Sequence, residues 1–139
     1  MAGLYLHIPF CRQACHYCDF HFSTSLAKIN PMIQAMKSEL KLRATEWKDQ
    51  CFETLYFGGG TPSLIAPELL SELIEAAKSS LHFESELEVT LECNPEDING
   101  ASLEAWRSLG VNRLSIGIQA FDDHALTLMN RIHDAAGAK

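Results

Sequence analysis

Three cysteines fall within eight residues near the start of the chain: Cys11, Cys15 and Cys18. A compact set of thiols can hold a metal centre, because thiolates ligate zinc and the irons of iron–sulfur clusters. Three thiolates would leave one iron of a [4Fe-4S] cluster without a protein ligand. An open, Lewis-acidic iron can bind a small molecule through its amino and carboxylate groups. The spacing therefore favours a [4Fe-4S] cluster that takes part in chemistry.

Two other interpretations of this spacing stay open on the residues alone. His21, three positions after Cys18, would complete a Cys₃His zinc site, and His16 is a second candidate. The three thiols could also be unrelated buried residues. Cys51 and Cys93 have no cysteine neighbours, so the sequence predicts a small core residue at each of these positions.

The elements that must position the cysteines follow one another as alternating strands and helices. Apolar alternation predicts the strands, and apolar residues three and four apart predict the helices. The strands are predicted at 4–8, 55–57, 87–91 and 114–118, and the helices at 29–47, 67–81, 103–109 and from 122 onward. Pro67 is expected to begin the second helix, and Gly110 to end the third. This order predicts one α/β domain with a parallel sheet.

Each predicted strand has one apolar side and one polar or small side. The polar side collects Tyr5, His7, Tyr56, Gly58, Glu88, Thr90, Glu92, Ser115, Gly117 and Gln119. If helices cover the apolar side, these residues line the inside of a curved sheet, with Glu92 and Gln119 at the carboxyl ends where barrel sites form. The alternative is a sheet with one solvated face. Four units cannot close an eightfold barrel of about 250 residues, so the sheet is open or the chain is part of a longer one.

Composition limits the classes of partner. The chain has 139 residues, 47% of them hydrophobic and 21% charged, which is typical of one folded domain. Its net charge of −7 repels phosphate backbones and anionic lipid, so we expect no nucleic-acid or membrane-surface partner. No apolar run is long enough to cross a bilayer, and the first residues lack the basic segment of a signal peptide. We therefore expect a cytoplasmic protein without a membrane span.

Several motifs resemble the radical S-adenosylmethionine (SAM) family. They are YLHIPFC at 5–11, Cys15, YCDF at 17–20 and YFGGGTPS at 56–63. The later motifs ECNP at 92–95 and GVNRLSIGIQ at 110–119 are most similar to the oxygen-independent coproporphyrinogen III oxidase group, especially its haem chaperone branch. The likeness runs from about Leu4 to His133 and displaces the zinc interpretation.

The resemblance implies a fold and a set of site residues. The fold is an incomplete (β/α) radical SAM barrel with about four parallel strand–helix units of a six-unit partial barrel. Residues 1–139 would be the N-terminal part of the core domain, with the C-terminal part of the family absent. The cluster ligands would be Cys11, Cys15 and Cys18. The SAM contacts would be Tyr17 at the adenine, the backbone of Gly58, Gly59, Gly60 and Thr61 at the methionine end, and Glu92, Gln119 and Arg131 at the ribose and methionyl groups. Tyr5 matches a position near the cluster.

Without the resemblance, these positions have plainer interpretations. Residues 58–60 could form only the turn between a strand and a helix, and Glu92 could be solvated at a strand end. Arg131 would be a surface cation on the last helix. The resemblance decides between the two sets of interpretations.

The implied function is that of a haem chaperone-like radical SAM protein in haem or porphyrin metabolism. In this family an electron from the cluster cleaves the carbon–sulfur bond of SAM and gives a 5′-deoxyadenosyl radical. The expected partners are SAM, haem or a porphyrin as ligand of the full-length protein, and a reducing electron-donor protein. A coproporphyrinogen III oxidase is the first alternative, but oxidases carry a further cysteine where this chain has Phe20. A non-catalytic module that binds cluster or haem is the second, so enzymatic activity and catalytic residues stay open.

Overall fold

Four parallel strands form one sheet in the protein, which a computed structural model describes over residues 2–139. The strands are β1 (Gly3–Ile8), β2 (Cys51–Gly59), β3 (His82–Cys93) and β4 (Arg113–Ile116). They lie side by side in chain order, and each pairs in parallel with the next. Leu6 pairs with Phe57, and Phe57 pairs with Leu91, so one row of apolar side chains crosses three strands. The predicted α/β fold with four parallel strand–helix units is confirmed.

Four helices connect or follow the strands: α1 (Ile29–Arg43), α2 (Pro67–Ser80), α3 (Gly100–Ser108) and α4 (Asp123–Leu128). Pro67 occupies the first position of α2, as predicted. Asn99 caps the start of α3 by a reciprocal pair of hydrogen bonds with Ser102. Gly110 follows the end of this helix with a positive φ of 91°, as predicted. The first predicted helix was too long, because α1 ends at Arg43 and the chain continues to residue 47 as a 3₁₀ turn.

Strand β4 is shorter than the sequence predicts. It ends at Ile116, because the Ile118 N–H turns back and donates to the Ile116 carbonyl at 2.9 Å. The Gly117 N–H still donates to the Cys93 carbonyl at 2.9 Å, so the chain leaves the sheet only after this bond. Gln119 consequently stands in the loop after the strand and not at the strand end.

The core lies on one face of the sheet. Alternate residues of β1 point into it, and Leu55, Phe57 and Leu91 of the central strands are completely buried there. Apolar residues of α1, α2 and α3 complete this core: Ile33, Met36, Leu40, Leu70, Leu73, Ile74, Ala77 and Trp106. Burial of one such large side chain contributes about 2–3 kcal/mol, so the helices are held mainly by this face.

The opposite face is open and polar. Tyr5 is 53% exposed there and stacks on Tyr56, with 5.8 Å between the ring centroids. Thr90 lies on the same polar side but is only 1% exposed. The side chains of Glu88 and Arg113 hydrogen-bond its hydroxyl and cover it.

The two isolated cysteines differ. Cys93, the last residue of β3, is buried as predicted, with its Sγ 3.8 Å from the Ser115 carbonyl oxygen. The prediction of a core position for Cys51 was wrong, because Cys51 is exposed. Strand β2 begins at this residue, and the alternation that turns Phe52 into the core turns Cys51 outward. No helix within residues 2–139 is long and apolar enough to cross a membrane.

Candidate functional site

A cavity of about 260 Å³ opens at the carboxyl ends of the strands. Ten of the twelve residues predicted for the site line it: Cys11, Cys15, Tyr17, Cys18, Gly59, Gly60, Thr61, Glu92, Gln119 and Arg131. Tyr5 and Gly58 lie one step deeper in the sheet, where the Tyr5 ring would touch a Cβ placed on Gly58, at 2.8 Å. The fold therefore gathers residues that are up to 120 positions apart in the chain, Cys11 and Arg131 among them.

The three cysteines lie on one loop, residues 9–23, here called the cysteine loop, whose two ends are hydrogen-bonded to each other. The Cys11 N–H donates to the Ser23 carbonyl at 3.1 Å, and the Ser23 N–H donates to the Pro9 carbonyl at 2.8 Å. Between these points, the Cys18 N–H donates to the Cys15 carbonyl at 3.2 Å and forms a tight turn. The three thiols are therefore carried by one short loop directly after β1.

Neither histidine of the alternative zinc site joins the thiols. His21 is exposed and does not line the cavity, and the His16 ring is hydrogen-bonded to the Leu128 carbonyl at 2.9 Å. In the described part of the chain, no three Cys, His, Asp or Glu side chains are grouped so that they could hold a single metal ion. A cubane cluster distributes its thiolates over separate iron corners, so its ligands stand farther apart than those of one zinc ion.

The turn at the end of β2, here called the glycine turn (residues 58–61), is hydrogen-bonded to the segment that leads into the cysteines. The Gly60 N–H donates to the Ile8 carbonyl at 2.8 Å, and the Thr61 N–H donates to the Phe10 carbonyl at 2.7 Å. A Cβ on Gly60 would lie 2.9 Å from the Cys11 Sγ, which only glycine avoids. The N–H groups of Gly60 and Thr61 are thus already hydrogen-bonded within the chain, and the absence of a Cβ at Gly60 lets the turn lie directly against Cys11.

Thr61 connects the glycine turn to the first cysteine. Its side chain is 5% exposed and hydrogen-bonds the Cys11 thiol. Burial raises the pKa of the Cys11 thiol, while this hydrogen bond works in the opposite direction. Burial is the larger of the two effects, so the metal-free Cys11 thiol keeps its proton more readily than an ordinary cysteine.

Glu92 is held in place by two donors. Its Oε1 accepts from the Tyr56 hydroxyl at 2.8 Å, and its Oε2 accepts from the Gly59 N–H at 3.0 Å. Burial raises the pKa of Tyr56, and the hydrogen bond to Glu92 adds to the rise, so the phenol remains a donor. The carboxylate keeps further lone pairs for a ligand in the cavity.

The expected position of Arg131 on the last helix was wrong, and its side chain is partly buried and not a surface cation as in the plainer alternative. Helix α4 ends at Leu128, and Asn130 has a positive φ of 58° that turns the chain back into the cavity. The Arg131 guanidinium donates through Nη2 to Asn94 Oδ1 and to the Gly117 carbonyl, both at 2.7 Å.

The other end of this guanidinium faces the cysteine loop. Nη1 of Arg131 lies 3.4 Å from both Cys15 Sγ and the Tyr17 hydroxyl oxygen. Burial lowers the pKa of Arg131, but the hydrogen bond to Cys15 and the charges of Tyr17, Cys15 and Glu96 outweigh it and raise the pKa overall. Arg131 therefore supplies a permanent positive charge beside a thiol.

Sequence reasoning gave no role to three polar residues near the cavity. Asn94 binds Arg131, Asp97 is buried with two partners, and the His133 Nε2 is 2.9 Å from the Ile118 carbonyl oxygen. Asn94 directly follows β3, and Asp97 lies three residues further along, so their place after the carboxyl end of a strand is the one sequence signal that could have identified them.

The radical SAM superfamily model matches residues 5–138, and the chain belongs to this superfamily. The heme chaperone HemW of Haemophilus influenzae is 35% identical over 143 residues, covering 99% of this chain and 37% of HemW. The oxygen-independent coproporphyrinogen III oxidase of Bradyrhizobium diazoefficiens is 38% identical over 136 residues, covering 94% of this chain and 30% of the oxidase.

A solved structure shares the fold over almost the whole chain. Coproporphyrinogen III oxidase (HemN) from Escherichia coli, a radical SAM enzyme, superposes with a TM-score of 0.90 at 30% identity, covering 98% of this chain and 32% of that one. The chain thus spans about a third of the length of the relatives that it matches. The resemblance to the radical SAM family and to its haem chaperone and oxidase branches is confirmed.

Proposed function

We propose that this chain forms the cofactor-binding part of a haem chaperone-like radical SAM protein. Cys11, Cys15 and Cys18 would ligate a [4Fe-4S] cluster, and SAM would bind beside it in the same cavity. One observation carries this proposal: the three thiols, Glu92 and Arg131 line a single cavity at the carboxyl ends of the strands.

The residues present fit a cluster with three protein ligands. The cysteine loop supplies three half-buried thiols, and the glycine turn packs so closely on Cys11 that no side chain intervenes. Cys93 also lines the cavity, but burial raises the pKa of its thiol to about 11, with Asp97 and Glu92 as further causes. Cys93 is not proposed as a ligand, because it lies on β3, outside the cysteine loop, with its Sγ turned to the Ser115 carbonyl oxygen at 3.8 Å.

When bound, the cluster supplies the electron and SAM supplies the carbon–sulfur bond that this electron cleaves. The residues of the chain bind, orient and shield. Arg131 places a fixed positive charge against Cys15 and holds the Tyr17 hydroxyl. Glu92 is aligned by Tyr56 and Gly59, so its free lone pairs can accept hydrogen bonds from ribose hydroxyls, and Gln119 offers both a donor and an acceptor.

The haem chaperone branch is proposed over the oxidase branch. Phe20, which stands where the oxidases carry a further cysteine, is 72% exposed and lines the cavity. Haem or a porphyrin would be handled by the whole protein, and a reducing partner protein would deliver the electron. Incubation of the full-length protein with SAM, a reductant and coproporphyrinogen III tests the alternative, since only an oxidase releases carbon dioxide from the propionates.

Anaerobic reconstitution with ferrous iron and sulfide tests the proposed cluster. The wild-type chain should bind about four irons and four sulfides, and Cys15→Ala should lose the cluster because a corner is removed. Cys51→Ala is the matched control, since Cys51 is exposed and remote from the cavity, and it should load like the wild type. A colourless chain with one zinc, or full iron content in Cys15→Ala, would contradict the proposal.

A further inference from the structure

A buried carboxylate lies outside the set of residues proposed to contact the cofactors. Asp97 belongs to the turn that follows β3, here called the β3 turn (residues 94–97), and its side chain is 4% exposed. Its Oδ1 accepts from Arg12 Nη2 at 3.1 Å, and its Oδ2 accepts from the Ser63 hydroxyl at 2.7 Å. A buried charge is costly unless it is paired and hydrogen-bonded, so these two partners are required.

The two partners of Asp97 belong to the two segments that meet at Cys11. Arg12 directly follows Cys11 in the cysteine loop, and Ser63 follows the glycine turn, two residues after Thr61. The Arg12 side chain is half exposed, whereas Asp97 is buried, so the bond ties the cysteine loop to a group that has almost no access to solvent. One carboxylate thus joins the cysteine loop and the glycine turn to the end of β3.

The same β3 turn also holds the cationic side of the cavity. Asn94 accepts from Arg131 Nη2 at 2.7 Å through Oδ1 and donates to Thr61 Oγ1 at 3.4 Å through Nδ2. The β3 turn therefore contacts both sides of the cavity. Asp97 binds Arg12, the neighbour of Cys11, and Asn94 binds Arg131.

We propose that Asp97 is a positioning residue that sets the place of Cys11, and with it one corner of the cluster, relative to Arg131. Asp97 acts through Arg12 and Ser63 and touches neither the cluster nor SAM. The inference rests on the proposed function.

The fold of the β3 turn does not depend on the Asp97 carboxylate. The Asp97 N–H donates to the Asn94 carbonyl at 3.0 Å, and the Ser102 hydroxyl donates to the Asp97 carbonyl at 2.9 Å. Helix α3 has its own cap in Asn99. Asp97→Asn therefore alters the contacts of the carboxylate and leaves the backbone bonds of the turn in place.

Cysteine alkylation in the metal-free chain tests the positioning role without any cofactor. Iodoacetamide labelling of each thiol is followed by peptide mass spectrometry in the wild type, Asp97→Asn, Arg12→Gln and the double variant. Exposed Cys51 reports the activity of the reagent, and the circular dichroism spectrum of each variant reports global unfolding. The matched control is Glu72→Gln, which removes the same charge from a carboxylate that binds Lys37 at 2.6 Å on the helical side.

We expect labelling of Cys11 to be roughly tenfold faster in Asp97→Asn and in Arg12→Gln, as the loss of one charged hydrogen bond allows. The double variant should be no faster, because both changes break the same link. Cys51 in every variant, and all thiols in the Glu72→Gln control, should be labelled at wild-type rates. Unchanged labelling of Cys11 overturns the inference. Faster labelling of Cys11 that is accompanied by loss of the wild-type circular dichroism spectrum in Arg12→Gln also overturns it; this is the milder substitution, because the Arg12 side chain is half exposed.

The reconstituted chain gives the second measurement. Asp97→Asn should still bind iron and sulfide, but the electron paramagnetic resonance spectrum of its reduced cluster should respond less to SAM, and a chelator should remove iron roughly tenfold faster. A wild-type chain that takes up no iron defeats the proposed function, while the alkylation result still stands. If the wild-type chain forms the cluster and Asp97→Asn has the same spectrum and the same rate of iron loss, the inference is overturned and the proposed function is not.

Discussion

The two faces of the sheet are built by different means. On the closed face, Phe57 has no exposed surface and lies under helices that belong to the same local strand–helix units. On the open face, its neighbour Tyr56 is only half-buried, and its partner Glu92 comes from the next strand. The closed face is therefore stabilised by apolar contact, whereas the open face and its cavity depend on hydrogen bonds between segments far apart in the chain.

Neighbouring substitutions on β2 should separate the two faces most clearly. Phe57→Ala removes a completely buried ring and is expected to lower the free energy of unfolding by about 3–5 kcal/mol. Tyr56→Phe keeps the ring and loses one hydrogen bond to Glu92, which should cost only about 1 kcal/mol. Urea denaturation followed by circular dichroism measures both values. Equal losses would contradict the distinction between the faces.

Cys93 lies between the buried core and the cavity, and its thiol should make the free energy of unfolding depend on pH. Burial raises the pKa of its thiol from the ordinary value of 9.0 to about 11. Between these values the unfolded chain loses this proton and the folded chain keeps it, so stability is complete below pH 9 and falls by up to about 3 kcal/mol as the pH rises to 11. Denaturation curves across this range should show a steeper loss in the wild type than in Cys93→Ala. Parallel slopes would show that the thiol titrates alike in both states.

At the carboxyl end of the sheet, the conformation of the glycine turn should affect SAM binding more than cluster binding. Gly59 has a φ of +118°, and a Cβ there would lie 2.7 Å from the His7 ring, so Gly59→Val must displace the turn. We expect an intact cluster and about tenfold weaker SAM binding, since such strain costs on the order of 1–3 kcal/mol. Calorimetric titration with SAM checks this, with Gly100→Ala as control because a Cβ at Gly100 meets nothing within 4 Å. Unchanged affinity would give the turn a purely structural role.

Local patterns predicted most of the fold. The alternation in β1, Pro67 at the start of α2 and Gly110 after α3 are signals that act within a few residues, and they agree with the structure. The end of β4 and the exposure of Cys51 could not be predicted in this way. Both depend on where pairing with a neighbouring strand begins or stops, which no short window of sequence records.

The site was predicted unevenly for the same reason. The cysteine loop has a sequence signature, because its thiols are close in the chain. The direction of Arg131 depends on the positive φ of Asn130, and the role of Asp97 depends on Arg12, 85 positions earlier. Contacts across such distances appear only when the strands are placed side by side.

The order of the strands in the sheet also determines the order in which the segments of the cavity are synthesised. Each crossover adds the next strand at the growing edge, so the segments of the cavity are made in the order in which they stand. Arg131 follows Cys15 by 116 positions, a delay on the order of ten seconds at roughly 5–20 residues per second. During that interval Cys15 lacks the Arg131 guanidinium that lies beside it in the folded chain. Under the proposed function, iron and sulfide that arrive after Arg131 has been made would meet all the residues proposed here to bind the cofactors.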